Sequence, residues 1–246
     1  MRLPKGEWMK LRRLPEIDLA KVAHLPAEEK RIRLRRFGVG GGGWSYDPAR
    51  SQSFTVVNPR DPLGLSANAP KIENILKIVR QACRCDNQEI ACLDVIKLFH
   101  SWCSENVTDA IERQLPAMSI GSWGSVRYWE NFILVVNGKP TQVFTDHRRG
   151  TSGLDFLARK FVFSMMHEHT RSVDPDMLDA ERLILKFPQH GKKDRQIAEY
   201  FASEVGLYSF EELSAMIDET YKIWIEVEEE RQAAPPKRRA AGGSLL

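Results

Sequence analysis

Two acids and a histidine set near strand ends are the residues of this chain best placed for chemistry. Glu130 lies on one arm of an expected β-hairpin, and Asp146-His147-Arg148-Arg149 closes the other. Carboxylates on adjacent strands can hold a divalent cation that activates water, as in a metal-dependent nuclease of restriction-endonuclease-like type. In that reading Glu130, Asp146 and His147 are catalytic and Mg²⁺ is the cofactor. Two features oppose it. A tight Asn137-Gly138 turn makes residues whose numbers sum to 275 face each other, so Trp129 stands opposite Asp146 and Tyr128 opposite His147. Glu130 then shares a face with Thr145 and His147, and Asp146 points to the other. Two residues after Asp146 stands Arg148, and a guanidinium cannot serve as the base that a lysine would supply.

The remaining titratable clusters give less. His167-Glu168-His169 falls in an expected helix, where residues two apart project about 200° apart and cannot share an ion as histidines four apart do. The zinc-protease spacing needs a histidine at position 171, which holds Arg171. Cys83, Cys85, Cys92 and Cys103 fall within 21 residues around His100, but they lack paired C-x-x-C knuckles. Reduced thiols packed as small apolar side chains are expected, with no metal site. Gly38 to Gly43 holds five glycines in six positions, yet no strand precedes it, no G-K-[ST] follows, and Trp44-Ser45-Tyr46-Asp47-Pro48 does not read as a helix start. A hinge is expected there.

Charge gives a second line of reasoning. The net charge is only +3, but residues 1–37 hold eleven lysines and arginines against five acids, and Lys237-Arg238-Arg239 adds three more positive charges. The middle of the chain is left with a balance of −6. Basic extremities suit a polyanion or an acidic protein partner, because phosphate contacts come chiefly from Lys and Arg. Arg31, Arg33, Arg35 and Arg36 on the N-terminal segment are the expected binding residues. Arg148 and Arg149 join them, since two guanidiniums near a helix start favour phosphate or carboxylate. The bland alternative is an Asp146–Arg pair fixing the hairpin. Arg127 completes the set, interleaved with Trp123, Tyr128 and Trp129 in a pattern that suits single-stranded nucleic acid, although core packing explains such aromatics equally well.

The elements that carry these residues follow from periodicity. Short helices are expected over Glu16 to Leu25 and Ala27 to Phe37, a short strand over Phe54 to Val57, and an amphipathic helix over Pro70 to Arg84. Asp86 and Glu89 have the spacing of a second helix start. From Ser119 the pattern changes to strands, Val126 to Val136 and Thr141 to Thr145, joined by the Asn-Gly pair. Thr151 or Ser152 can cap an apolar helix from Leu154 to Arg171, ended by Asp174-Pro175-Asp176. Leu183 to Phe187 reads as a strand, residues 195–205 carry helical spacing, and Ser209 with Glu212 forms a capping box opening a long helix to about Arg231.

Together these predict an α+β fold: one domain with helices packed on a small antiparallel sheet built around the 126–147 hairpin. The expected organisation is a basic helical arm at 1–37, a glycine-rich linker at 38–53, the α+β domain at 54–232 and a disordered basic tail at 233–246. The apolar runs are too short to cross a bilayer, and Met1 to Arg13 lacks the apolar core of a signal peptide, so a cytoplasmic location is expected. The function expected is a binding or regulatory protein that engages nucleic acid or an acidic protein partner through its basic arms, without a cofactor. The nuclease is the alternative.

Overall fold

Asn137 and Gly138 take φ of 52° and 75°, and two successive positive values make the tight turn whose twist matches the strands it joins. The turn connects β4 (Phe132–Val136) to β5 (Lys139–Asp146), with Val136 opposite Lys139 and Ile133 opposite Gln142. This is the register expected from the sequence. The computed structural model describes residues 12–38, 44–59, 70–150, 153–189, 191 and 194–233. Within it β1 (Val107–Glu112) pairs antiparallel to the outer edge of β4, and β6 (Glu181–Lys186) runs parallel to β5. β7 (Ala198–Phe201) closes the sheet antiparallel to β6, giving the order β1-β4-β5-β6-β7. A separate short pair joins β2 (Met118–Ser119) to β3 (Ser125–Val126).

Parallel β5 and β6 need a crossover, and α7 (Phe156–Val173) supplies it. Pleating sends neighbouring residues to opposite faces of the sheet. Phe144 and Ile184 join one core with α7, α1 (Glu16–Ala23) and α8 (Phe210–Ala233). Val143, Leu183 and Leu185 join a second core with α5 (Ile72–Ala82) and α6 (Asp86–Asn106). The fold is thus mixed α+β, as expected, with helices on both faces of the sheet. Ser209 and Glu212 form the expected capping box, each backbone N–H donating to the other side chain at 2.7 and 3.2 Å. None of the described helices is long and apolar enough to cross a membrane.

Several expectations need correction. The helices assigned to a separate arm are packed into the domain: Leu14, Leu19, Ala20 and Leu34 are buried against α7 and α8. The second of them, α2 (Ala27–Arg36), lies along α8, whose glutamates meet its cations. Lys30 pairs with Glu219, Arg31 with Glu226 and Glu230, and Arg35 with Glu230. Arg231 donates to the carbonyls of Leu34 and Arg35 at 3.0 Å and so caps the end of α2. Charge alone marked this segment as an arm; its buried leucines make it core.

The linker region also holds structure. Residues 47–50 form the short α3 (Asp47–Arg50), with Pro48 in its first turn, where a missing N–H does no harm. Phe54 to Val57 belongs to α4 (Ser53–Val57) and not to a strand. Val107 to Glu112, unassigned from sequence, is β1, and residues 198–201 are β7 despite their helical spacing. The long strand expected over 126–136 is broken between β3 and β4, so the Trp129–Asp146 and Tyr128–His147 pairings do not form. The sheet is not wholly antiparallel, because a helix separates β5 from β6. Asp155 caps α7, accepting the Ala158 N–H at 2.8 Å; the proposed caps Thr151 and Ser152 lie outside the described residues. So do the glycines at 40–43 and the basic run Lys237-Arg238-Arg239.

Apolar burial holds α2 in place more firmly than its exposed ion pairs. Leu34→Ala is expected to cost about 3 kcal/mol in urea denaturation. Arg35→Ala, at a half-exposed pair, is expected to cost less than about 1 kcal/mol.

Candidate functional site

Parity along β5 sorts the polar residues at its end into two groups. Thr145 and His147 point to the same side as Glu130, whose backbone N–H donates to the Val143 carbonyl at 3.0 Å. The Thr145 hydroxyl donates to Glu130 Oε1 at 2.7 Å. These three residues line a cleft of about 520 Å³ between the start of α1, α3 and the end of β5. Burial pushes the Glu130 carboxyl above its ordinary range, against the hydrogen bond from Thr145 and the charges of Arg50 and Arg127.

His147 is 3 % exposed, with its ring between Phe187 and Tyr46 at centroid distances of 5.3 and 6.0 Å. Its Nδ1 is buried and has no hydrogen-bond partner among the described residues. Burial, reinforced by Arg50 and Arg195, pulls its pKa from 6.5 down to about 3. Below it the Arg195 guanidinium is 5 % exposed and joins four elements through neutral oxygens. It donates to the carbonyls of His147 at 2.6 Å, Ala91 at 3.0 Å and Phe187 at 3.1 Å, and to the Tyr46 hydroxyl at 3.1 Å.

Asp146 faces the opposite side, toward α1 and α7, and is fully buried. Its Oδ1 accepts the Arg148 N–H at 3.2 Å, and its Oδ2 has no hydrogen-bond partner among the described residues. Lys186, in register beside it on β6, is 5 % exposed. Burial lowers the Lys186 pKa, and the charge of Asp146 acts in the opposite direction. Gly153 closes over this pair: a methyl group there would overlap the Lys186 ammonium and lie 3.4 Å from Asp146 Oδ2.

Glu130 and His147 therefore meet in one cleft, and Asp146 does not join them. A two-carboxylate metal site needs both acids on one side, and the pleat separates them. Among the described residues no group of three or more His, Cys, Asp or Glu is placed to hold a metal ion. The four thiols are free; Cys92 is buried with its pKa pushed up to about 12, whereas Cys85 is exposed, unlike the packed thiol expected there. His169 stacks on Trp129 at 3.7 Å within the core.

The basic residues divide in the same way. Arg148 forms a two-pronged pair with Asp18 of α1 at 2.9 and 3.0 Å, in place of the expected pair with Asp146. Arg127 is exposed and donates to Asn131 Oδ1 at 3.0 Å. Arg149 is half-buried, and its carbonyl accepts the Gln189 N–H at 3.1 Å. Arg31 and Arg35 are engaged by α8, while Arg33 and Arg36 are exposed and border a hollow with Lys21. The aromatics set between them are core residues: Tyr128 and Trp129 are buried, and Trp123 stacks on Tyr221 at 5.2 Å. Trp44, Tyr46, Arg50 and Arg195 escaped the sequence reading. Trp44 and Tyr46 had a signal in the Trp44–Pro48 run, set aside because it did not resemble a phosphate loop; Arg50 and Arg195 had none.

The site sets a polar cleft and a charged helical face on one mixed α+β fold. Comparison with known proteins gives that fold a family. The model of the SocB family, described as sliding clamp-binding bacterial toxin, matches residues 17–234. The chain belongs to this family. It is 29 % identical over 226 residues to the DNA replication inhibitor toxin SocB of Caulobacter vibrioides, covering 91 % of this chain and 93 % of that protein. No solved structure matches the chain.

The neutral His147 ring gives a pH signature. Below about pH 6.5 the unfolded chain takes up a proton that the folded chain refuses until about pH 3, so this contribution is present above 6.5 and is lost as pH falls. Burial depresses His167 and His169 in the same direction, so the wild type is compared with His147→Gln. Between pH 7 and 5 in urea denaturation, wild type is expected to lose up to about 1.4 kcal/mol per pH unit more than the variant. Equal slopes would show that His147 titrates normally.

Proposed function

We propose that this protein is a bacterial toxin that binds a sliding clamp and thereby inhibits DNA replication. The observation that carries this reading is the family match, which spans the elements from α1 to the end of α8. The near full-length correspondence with a replication-inhibiting toxin supports it. Action by occupancy needs no reactive centre, and the separation of Glu130 from Asp146 is compatible with such a role.

The acidic-partner expectation keeps a specific surface. The α8 glutamates neutralise Arg31 and Arg35 but not Arg33 or Arg36. These two stand exposed around a hollow of about 360 Å³ lined also by Lys21, by Asp18 in its pair with Arg148, and by Phe37, with Leu34 buried beneath. Cations around an apolar centre suit an acidic protein surface, because the charges steer encounter and the apolar groups provide lasting contact.

The test uses the full chain and a purified bacterial sliding clamp in a direct binding measurement. Dissociation in the micromolar range or tighter is expected, together with arrest of DNA synthesis when the protein is produced in cells. Reversing both charges, Arg33→Glu with Arg36→Glu, is expected to weaken clamp binding about tenfold and to flatten its salt dependence. Absence of clamp binding by the wild type overturns the function; unchanged affinity in the double variant removes this surface from it.

A further inference from the structure

The cleft at the end of β5 has a composition that clamp binding leaves without a role. One wall is a pair of rings, Trp44 and Tyr46, at 5.0 Å and nearly perpendicular. Tyr46 is fixed twice, by Arg195 at its hydroxyl and by the ring of His147 at its face. On the floor Glu130 has one oxygen held by Thr145, and none of the hydrogen bonds formed there engages its other oxygen. His147 lines the same cleft, its buried Nδ1 without a partner among the described residues. Two exposed guanidiniums line it, together with the carboxylates of Glu16, which is paired with Arg13, and of Asp47, which accepts the Ser45 hydroxyl. Arg50 makes no ion pair or hydrogen bond among the described residues, and its charge acts on both Glu130 and His147. Arg127 is held by Asn131 and also acts on Glu130.

At about 520 Å³ the cleft lies within the range of small-molecule sites, roughly 300 to 1,000 Å³, where apolar walls meet a few convergent polar groups. Its three features place different demands on a ligand. The ring wall asks for a flat face, the Glu130 carboxyl for a hydrogen-bonding edge, and the guanidiniums for an anion. An alkyl chain would leave Glu130 unsatisfied, and a lone phosphate would leave the wall bare. A heterocyclic base joined to a phosphate meets all three.

We propose that the cleft binds a nucleotide unit, with its base against Trp44 and Tyr46, the polar edge of the base toward Glu130, and its phosphate toward Arg50 and Arg127. A free nucleotide and the terminal nucleotide of a nucleic-acid strand present this same chemistry. The site is separate from the Arg33–Arg36 surface and does not depend on clamp binding.

The test titrates the full-length protein with ATP, GTP, CTP and dTTP, with a short single strand carrying a 5′-phosphate, and with inorganic triphosphate. Heat of binding and tryptophan fluorescence are followed. Saturable binding of a nucleotide or of the strand is expected, and the tighter of the two names the source. Arg50→Ala and Trp44→Leu each weaken binding about tenfold or more, and Glu130→Gln changes the preference among bases. Arg33→Ala leaves binding unchanged, and thermal unfolding verifies that each variant is folded. No binding of any probe at millimolar concentration overturns the proposal. So does unchanged affinity in folded Arg50→Ala, or inorganic triphosphate binding as tightly as the nucleotides.

Discussion

The period of two along β5, anchored at its near end by the Asn137-Gly138 turn, governs the chemistry available at its far end. Once that turn sets the register, Thr145 and His147 must share a face with Glu130, and Asp146 must leave it. A slip of one residue would carry Asp146 into the cleft and Thr145 out of it. The same slip would exchange Val143 with Phe144 between the two cores, so hydrophobic burial on both faces enforces the register. The geometry of a two-residue turn is thereby transmitted about eight residues to the functional end of the strand.

Two buried cations hold that end in place by different means. Lys186 lies beside Asp146 on the α1 and α7 side, where Gly153 leaves just enough room for the ammonium. Arg195 lies on the other side with no carboxylate paired to it among the described residues, and its guanidinium donates to three carbonyls and one phenol. Burial works against the charge of both residues, lowering their pKa values. Arg195 tolerates burial because its planar fork finds several neutral acceptors at once. Through it β5, α6 and the entry to α3 share one fastening.

The hairpin, its register, the Ser209–Glu212 cap and the main helices could be read from the sequence because each rests on local chemistry. The role of α1 and α2 could not. Counted along the chain their lysines and arginines form a basic block, but the acids that answer Lys30, Arg31 and Arg35 of α2 lie about two hundred residues away on α8. Arg195 was hidden for a related reason, since its partners are backbone carbonyls that no side-chain pattern reveals. β7 was masked by Ile197, Phe201 and Val205, whose spacing suits a helix although pairing with β6 decides the conformation. Of the cleft, Glu130, Arg127 and His147 were visible as candidates. Their neighbours Trp44, Tyr46 and Arg50 come from a segment almost a hundred residues earlier.

The charge layout is consistent with contact at two separate places. Pairing between α2 and α8 cancels much of the basic excess and leaves Arg33 and Arg36 as the exposed remainder beside the half-buried Phe37. Across the sheet, Arg50 and Arg127 stand over a half-buried carboxyl, where an anionic ligand would meet two guanidiniums that form no ion pair among the described residues. The first place is an open surface on helices and suits a macromolecular partner. The second is a recess whose walls are held by Arg195 and the pleat of β5, and rigidity of that kind favours recognition of one small shape. The clamp-binding role proposed above would use the first, and the nucleotide proposed for the cleft would use the second.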